Sequence, residues 1–243
     1  MDLDGQTAIV TGGSSGIGRA TASAYVDAGA DVVIASRSTD QGERVAADLD
    51  CTYIQTDVCE YEAVQSLVEA TVEEFGGLDV MVNNAGIASD HPVTEMGLDE
   101  WADVVDTDLD GVMHGTKAAL PHLLESEGCI INTASIYGLV GGKGAAAYSA
   151  AKGGVVNFTQ QVAVDYAPDG VRVNSICPGF VETPMTEDLL ETDRFYNFVL
   201  ENTPLNRPGQ PEEIAPLAVF LASDAASYIT GANIPLDGGW TAH

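Results

Sequence analysis

Basic residues are scarce in this sequence. Lysine and arginine together number nine, against 37 aspartates and glutamates, and the formal net charge at pH 7 is −28. A surface with this charge repels phosphate, so we expect no nucleic-acid partner. Only three lysines occur, namely Lys117, Lys143 and Lys152. Each of them is therefore a position of interest.

Three explanations of the acidic bias can be compared. Disorder is one, but apolar residues make up 45% of the chain, which is too many for a disordered protein. An acidic interaction tail is another, but the acids are spread along the whole chain. The third is a surface suited to concentrated salt, where screening removes the self-repulsion of the carboxylates. We favour this third explanation, which predicts a protein from a halophile.

Long apolar runs and clustered cysteines are also missing. No apolar stretch reaches the roughly 18 residues that a transmembrane helix requires, so we expect no membrane span. The acidic N-terminus, Met1 to Asp4, lacks the basic and apolar regions of a signal peptide, which favours a cytoplasmic protein. The four cysteines form no C-x-x-C pair and no zinc spacing, so no metal site is expected.

Short apolar runs alternate with longer segments of helical periodicity. The predicted strands are Thr7–Val10, Val32–Ala35, Thr52–Gln55, Leu78–Val82, Cys129–Asn132, Val171–Ile176 and a run near Ala232–Leu236. Helices such as Gly16–Ala28 and Glu60–Phe75 are predicted between them. Continuous apolar strands indicate a sheet covered by helices on both faces. The alternation predicts one α/β domain over residues 1–243, with a mostly parallel, doubly wound sheet.

A glycine-rich loop follows the first predicted strand. The segment from Thr11 to Gly18 reads TGGSSGIG and opens the first predicted helix. Glycine permits a tight turn and a close approach of the backbone to a pyrophosphate, and the helix N-terminus supplies free N–H groups. A flexible turn is the alternative. The position after the first strand of an alternating pattern favours dinucleotide binding at the sheet's carboxyl edge.

The G-x-x-x-G-x-G spacing of this loop resembles the short-chain dehydrogenase/reductase (SDR) family. Further motifs agree with it: Asn83-Asn84-Ala85-Gly86, Ser135, the Y-x-x-x-K pair Tyr148 and Lys152, Pro178-Gly179 with Thr183, and Asp237-Gly238-Gly239. The resemblance runs from about Gly5 to Trp240. It implies a single-domain Rossmann fold with a seven-stranded sheet. It also implies an enzyme that moves a hydride between a nicotinamide and a carbonyl or alcohol carbon.

Tyr148 and Lys152 are the predicted centre of this chemistry. They lie four residues apart in the predicted helix Ala147–Tyr166, so both side chains share one face. An exposed helix face is the alternative, but the scarcity of lysine favours a functional pair. A nearby ammonium and an oxidised nicotinamide both lower the pKa of a phenol, so Tyr148 can exchange a proton with the substrate oxygen. The resemblance assigns Ser135 to hold the same oxygen.

One position departs from the family pattern. The family usually carries an asparagine seven residues after a conserved tryptophan, and this asparagine helps to hold a water chain behind the lysine. The matching tryptophan here is Trp101, and the matching position is Asp108. An ionised aspartate accepts hydrogen bonds but donates none. We expect Asp108 to order a relay water or to stabilise the Lys152 ammonium indirectly; one more acidic surface substitution is the alternative.

The end of the second strand bears on the choice of cofactor. Enzymes that use NAD usually carry an acid there, which binds the ribose 2′-hydroxyl. This chain has Ser36 followed by Arg37, and a guanidinium suits a 2′-phosphate. We therefore predict NADP(H) in preference to NAD(H), with Arg19 adding positive potential. The predicted cofactor-binding residues are Gly12, Ser14, Ser15, Gly16, Ile17, Gly18, Ser36, Arg37, Asp57, Val58, Asn84, Ala85, Gly86, Tyr148, Lys152, Pro178, Gly179, Val181 and Thr183.

Substrate and assembly are less visible. Residues 184–205 resemble the family's variable substrate lid. The resemblance is strongest to 3-oxoacyl thioester reductases and to sugar or secondary-alcohol dehydrogenases. We therefore expect a small carbonyl or alcohol substrate, either a small ketone or a 3-oxoacyl thioester, with a sugar or polyol as the alternative. A non-catalytic dinucleotide sensor is a weaker alternative, because such proteins tend to lack the tyrosine or the lysine. Relatives usually assemble as tetramers through two long helices, which implies a homotetramer built through Leu98–Leu124 and Ala147–Ala167 as those two helices.

Salt dependence tests the interpretation of the acidic surface. Dialysis from molar potassium chloride into dilute buffer is expected to lower the melting temperature, because unscreened carboxylates repel one another. Circular dichroism at both salt concentrations measures the change. Full activity and an unchanged melting temperature after desalting would contradict the interpretation.

Overall fold

The fold is known from a computed structural model, which describes residues 1–88 and 90–242. Seven strands form one sheet. They are β1 (Thr7–Thr11), β2 (Asp31–Ser36), β3 (Thr52–Gln55), β4 (Val80–Asn83), β5 (Cys129–Thr133), β6 (Arg172–Pro178) and β7 (Asn233–Leu236). Their order is β3-β2-β1-β4-β5-β6-β7, and every pairing is parallel. The predicted doubly wound α/β sheet is confirmed.

Helices connect the strands in the alternation that the sequence predicts. They are α1 (Gly16–Asp27), α2 (Thr39–Leu49), α3 (Tyr61–Phe75), α4 (Leu98–Val105), α5 (Gly111–Ser126), α6 (Ala146–Tyr166), α7 (Glu187–Leu190), α8 (Asp193–Asn202) and α9 (Pro211–Ala222). The predicted lid contains α7 and α8. Of the helices in the described ranges, none is long and apolar enough to cross a bilayer.

The sheet separates two hydrophobic cores. Alternate residues of β1 enter them, since Val10 packs into the core beneath α1 and α9, and Ile9 packs into the core beneath α3 and α5. Both side chains are fully buried. This is the arrangement that continuous apolar strands predict, because each face of such a strand contacts helices. The chain order reverses between β1 and β4, which opens a crevice at the carboxyl edge of the sheet.

Buried polar side chains join the layers just below this edge. The amide of Asn83 on β4 donates to Asn132 Oδ1 on β5 at 2.9 Å, and the amide of Asn132 donates to Thr159 on α6 at 2.9 Å. Asn83 also donates to Thr116 on α5 at 3.3 Å. Buried amides need such partners, so this network fixes the positions of two strands and two helices.

The structure differs from the sequence-based expectation at one important place. Leu98–Leu124 was expected to form one long helix, but α4 and α5 are separated by a π-helical turn at Asp106–Asp110. Such turns widen the helix locally and change the direction of its side chains. Because hydrophobic periodicity does not report a single wide turn, the sequence pattern could not predict it.

Replacement of Gly115 tests the network around Asn83. A Cβ at Gly115 would collide with the side-chain oxygen of Asn83, so Gly115→Ala is expected to destabilise the fold by about 1–3 kcal/mol despite the better helix propensity of alanine. Gly77→Ala is the matched control, because no atom lies within 4 Å of a Cβ there. Denaturant unfolding in concentrated salt measures both. Equal free energies of unfolding for the two variants would contradict this account.

Candidate active site

The glycine loop places the backbone tightly against the loop after β4. Gly12 has a φ of +65°, and a Cβ there would lie 2.9 Å from the amide nitrogen of Asn84. A Cβ at Gly18 would collide with the carbonyl oxygen of Gly12. Larger residues at these two positions would therefore push the loop away from the sheet. The first turn of α1 carries no acidic residue, so its N–H groups remain suited to an anion.

Asn84 ties together the ends of the three central strands. Its amide donates to the carbonyl of Thr11 at 2.9 Å, and its own side-chain oxygen accepts from the Thr133 hydroxyl at 3.2 Å. The Thr11 hydroxyl in turn accepts from the backbone of Asn84 at 2.9 Å and of Ala85 at 3.1 Å. These bonds hold the floor of the crevice rigid beside the glycine loop.

Ser135, Tyr148 and Lys152 converge beside this floor. Ser135 follows β5 and begins a 3₁₀ turn, where its hydroxyl accepts from the backbone of Tyr137 at 3.1 Å. Tyr148 lies in the first turn of α6, and its side chain lines the same cleft as Ser135, which acts to lower the Tyr148 pKa. The amine of Lys152 lies 5.7 Å from the centre of the Tyr148 ring. The common helix face that the sequence predicts is thus observed.

Lys152 is held by two groups that the sequence did not identify as its contacts. Its amine donates to the backbone carbonyl of Thr133 at 2.9 Å and lies 3.2 Å from Asp108 Oδ2. Asp108 lies in the π-helical turn, and its other oxygen accepts from the backbone of Ile87 at 2.8 Å. The expectation of an indirect interaction between Asp108 and Lys152 is therefore wrong, because the two charges are in direct contact.

Burial dominates the electrostatics of this group. Burial raises the pKa of Tyr148; Lys152 lowers it and Asp108 raises it, and the resulting pKa lies above the ordinary value for tyrosine. The pKa of Asp108 is also raised by burial, although Lys152 opposes the shift. The lowered phenol pKa expected from the sequence included the charge of an oxidised nicotinamide. Burial and the neighbouring side chains of the protein together raise the pKa of Tyr148 and do not lower it.

The end of β2 carries groups suited to the adenosine half of a dinucleotide. The hydroxyl of Ser36 is buried and has no hydrogen-bond partner among the residues that the structure describes. Arg37 is exposed and forms no ion pair within the described part of the chain. Arg19, in contrast, lies 3.8 Å from Asp48, which offsets part of its positive charge. An unpartnered hydroxyl beside a free guanidinium fits a phosphorylated ribose.

Most of the predicted site residues line one cleft. Those in it are Gly12, Ser15, Gly16, Ile17, Asn84, Ala85, Gly86, Asp108, Ser135, Tyr148, Lys152, Pro178, Gly179, Val181 and Thr183. Ser14 lines a neighbouring groove with Arg19. Asp57 accepts from the backbone of Cys59 at 3.1 Å, and Val58 packs beside Gly111. Six of the predicted residues lie outside the lining of that cleft: Ser14, Gly18, Ser36, Arg37, Asp57 and Val58.

Two residues of the cleft, Thr133 and Ala134, were not predicted from the sequence. Pro184, Met185 and Thr186 also line the cleft, and they belong to the predicted lid of residues 184–205. Thr133 acts through a backbone carbonyl, which no side-chain pattern reports. Thr186 had a local signal, since it lies three residues after Thr183, and its hydroxyl accepts from the backbone of Thr183 at 3.1 Å.

Aromatic rings continue the wall of the site beyond Tyr148. The ring of Tyr137 meets Tyr148 edge-on at a centroid distance of 6.5 Å and meets Phe180 at 5.9 Å. Phe180 contacts Phe195 of α8 at 5.3 Å and Trp240 at 5.0 Å. The predicted lid is therefore joined to Tyr148 through a chain of aromatic contacts.

Comparisons with known proteins agree with this geometry. A family model described as enoyl-(acyl carrier protein) reductase matches residues 12–241. The chain is 43% identical to a meso-2,3-butanediol dehydrogenase of Serratia marcescens, over 100% of this chain and 97% of that protein. It is 39% identical to a 3-oxoacyl-(acyl-carrier-protein) reductase of Vibrio cholerae, over 98% of both chains.

A solved structure shares the whole architecture. The crystal structure of a short-chain type dehydrogenase/reductase from Mycobacterium marinum superposes with a TM-score of 0.94 at 36% identity, over 100% of this chain and 98% of that one. Fold, family model and relatives all agree over nearly the full length. The chain therefore belongs to the short-chain dehydrogenase/reductase family and is an oxidoreductase that acts on alcohol or carbonyl groups.

Proposed function

We propose that this protein transfers a hydride between a nicotinamide and the carbon of a small ketone or secondary alcohol, with Tyr148 exchanging the proton on oxygen. The observation that carries this proposal is the meeting of Tyr148, Ser135 and Lys152 in the cleft that contains the glycine loop. A non-catalytic sensor would not need these three groups together.

The residues divide the work as follows. In reduction, the Tyr148 hydroxyl gives its proton to the carbonyl oxygen, and in oxidation the phenolate takes the alcohol proton back. Ser135 hydrogen-bonds the same oxygen and fixes its position beside the phenol. The Lys152 ammonium, anchored by the Thr133 carbonyl, favours the phenolate. A bound nicotinamide supplies or accepts the hydride at carbon.

The glycine loop and its surroundings suit the dinucleotide. We assign the pyrophosphate to Gly12 to Gly18 and the N-terminus of α1, where added Cβ atoms at two glycines would collide with their neighbours. Asp57 and Val58 are assigned to the adenine, and Asn84 to Gly86 to the floor of the site. Pro178, Gly179, Val181 and Thr183 are assigned to the nicotinamide half, because all four line the catalytic cleft.

The cofactor is proposed to be NADP(H) rather than NAD(H). Exposed Arg37 follows Ser36 at the end of β2, where enzymes that use NAD usually carry an acid. The absence of an acid is informative in a chain with 37 of them. The ion pair between Arg19 and Asp48 leaves Arg37 as the main candidate for the 2′-phosphate.

Two observations bear on the substrate. The Serratia marcescens relative is named for butanediol, a small secondary alcohol, and the Vibrio cholerae relative is named for a 3-oxoacyl carrier substrate. A net charge of −28 opposes docking of an acidic carrier protein, which favours the small substrate. A 3-oxoacyl thioester is the second candidate, and a sugar or polyol alcohol is the third.

Assembly and setting complete the proposal. Apolar side chains are exposed on α5 and α6, including Leu124 at 37% and Val164 at 72%, and they support a homotetramer formed through these helices. A cytoplasmic location and a halophilic source remain predictions from the N-terminus and from the acidic composition.

Replacement of Tyr148 tests the catalytic assignment. Tyr148→Phe removes only the hydroxyl, so turnover of a ketone panel in concentrated salt is expected to fall by about 10²- to 10⁴-fold while cofactor affinity is kept. Tyr166→Phe on the same helix is the control and is expected to retain turnover. Nicotinamide absorbance follows the reaction, and cofactor fluorescence follows binding. Near-normal turnover of the Tyr148 variant would refute the assignment.

Replacement of Arg37 tests the cofactor preference. Arg37→Gln is expected to raise the KM for NADP(H) by roughly 10- to 100-fold, because a charge-assisted bond to the 2′-phosphate is lost, and to leave the KM for NAD(H) little changed. Arg194→Gln on α8 removes the same charge from an exposed position outside both the groove of Ser14 and Arg19 and the cleft, and it serves as the control. Turnover with NAD(H) that equals or exceeds turnover with NADP(H) in the unchanged protein would remove the inference.

A further inference from the structure

Lys152 and Asp108 form an ion pair that is almost fully shielded from solvent. Their side chains are 3% and 0% exposed, and the amine and the carboxylate oxygen are 3.2 Å apart. Removing two charges from water is costly, and a buried pair persists only where the partners compensate each other closely. The carboxylate is also fixed from its other side by the backbone N–H of Ile87. The ion pair is therefore a fixed structural part of the site.

The surroundings of the amine show how much depends on Asp108. Tyr148 faces the amine from its own helix, Cys177 from β6 and the Thr133 carbonyl from β5. A tyrosine or a cysteine contributes negative charge only after losing its own proton. Asp108 is thus the one carboxylate among these described neighbours that can balance the ammonium while the tyrosine is still protonated.

We propose that Asp108 is a positioning residue that keeps the buried amine of Lys152 protonated and directed beneath Tyr148. This inference rests on the proposed roles of Tyr148 and Lys152. It assigns to Asp108 a direct electrostatic function, in which a fixed carboxylate, rather than solvent, stabilises the ammonium.

The balance of forces on Lys152 supports this role. Burial acts to lower its pKa, but Asp108 and then Tyr148 outweigh burial, and the resulting pKa lies above the ordinary value. A buried lysine without a counter-charge loses its proton at lower pH than an exposed one. A neutral amine would no longer favour the phenolate of Tyr148. The Asp108 carboxylate therefore keeps Tyr148 able to exchange its proton at alkaline pH.

The space around Asp108 defines the sharpest variant. A Cβ at Gly86 would lie 2.9 Å from Asp108 Oδ2, so there is little room for a longer side chain. Asp108→Asn keeps the size, and the asparagine oxygen can still accept from Ile87, but the charge is lost. Asp79→Asn is the matched control, because Asp79 accepts from the backbone of Thr7 at 2.8 Å and lies outside the cleft lining.

Carbon-13 NMR of lysine tests the proposal without cofactor or substrate. The chain has three lysines, so ε-carbon labelling gives three resonances, which Lys117→Arg and Lys143→Arg assign. Lys117 and Lys143 are exposed and serve as internal references. In the unchanged protein, Lys152 is expected to lose its proton after both references. Loss before them would overturn the proposal, and this measurement requires no variant of Asp108.

The Asp108→Asn variant extends the same titration. Lys152 is expected to titrate at least about one pH unit lower than in the unchanged protein, whereas Asp79→Asn leaves it unmoved. In alcohol oxidation, kcat of the Asp108 variant is expected to decline on the alkaline side, where the unchanged enzyme and the control keep their rate. An unmoved Lys152 titration overturns the proposal whether or not the activity assay succeeds. An inactive Tyr148→Phe variant bears only on the proposed function.

Discussion

A charged amine enclosed at the carboxyl edge of the sheet imposes the strictest demand on this fold. Lys152 needs a negative partner and a hydrogen-bond acceptor in a place where water is excluded. Asp108 meets the first need at 3.2 Å and the Thr133 carbonyl meets the second at 2.9 Å. The elements that supply them must therefore meet at one point: the π-helical turn, β5 and α6. The rest of the site is arranged around that meeting.

The π-helical turn and Gly86 place the carboxylate that meets this demand. Asp108 lies within the wide turn between α4 and α5, where its carboxylate accepts a hydrogen bond from the loop after β4 and forms an ion pair with the lysine of α6. Gly86 provides the space for its oxygen. Below this point, Asn83 and Asn132 connect β4 and β5 to the flanking helices. The π-helical turn and the buried hydrogen bonds of Asn83 and Asn132 thus both fix the positions of the elements that carry the site.

The architecture and the chemical class could be predicted from the sequence because their signals are periodic or motif-based. Alternating apolar segments gave the parallel sheet, and the ordered motifs from the glycine loop to Tyr148 and Lys152 gave the family. The π-helical turn was missed because one wide turn does not alter hydrophobic periodicity. The direct contact of Asp108 was missed because spacing does not give distance in space. The role of the Thr133 carbonyl was missed because backbone groups carry no residue signature.

The acidic surface and the enclosed ion pair pose opposite electrostatic problems. Of the 37 acids in the chain, those at the surface repel one another, and dissolved salt screens that repulsion. Asp108, in contrast, is matched to one ammonium with almost no solvent. The central claim is that the enclosed Lys152 ammonium lies beneath the Tyr148 phenol, which exchanges a proton with the substrate oxygen. A crystal structure with oxidised NADP and a small secondary alcohol tests it most directly. The account predicts that the alcohol oxygen is hydrogen-bonded to both Tyr148 and Ser135, whereas an alcohol held elsewhere, with the Tyr148 hydroxyl turned away, would contradict it.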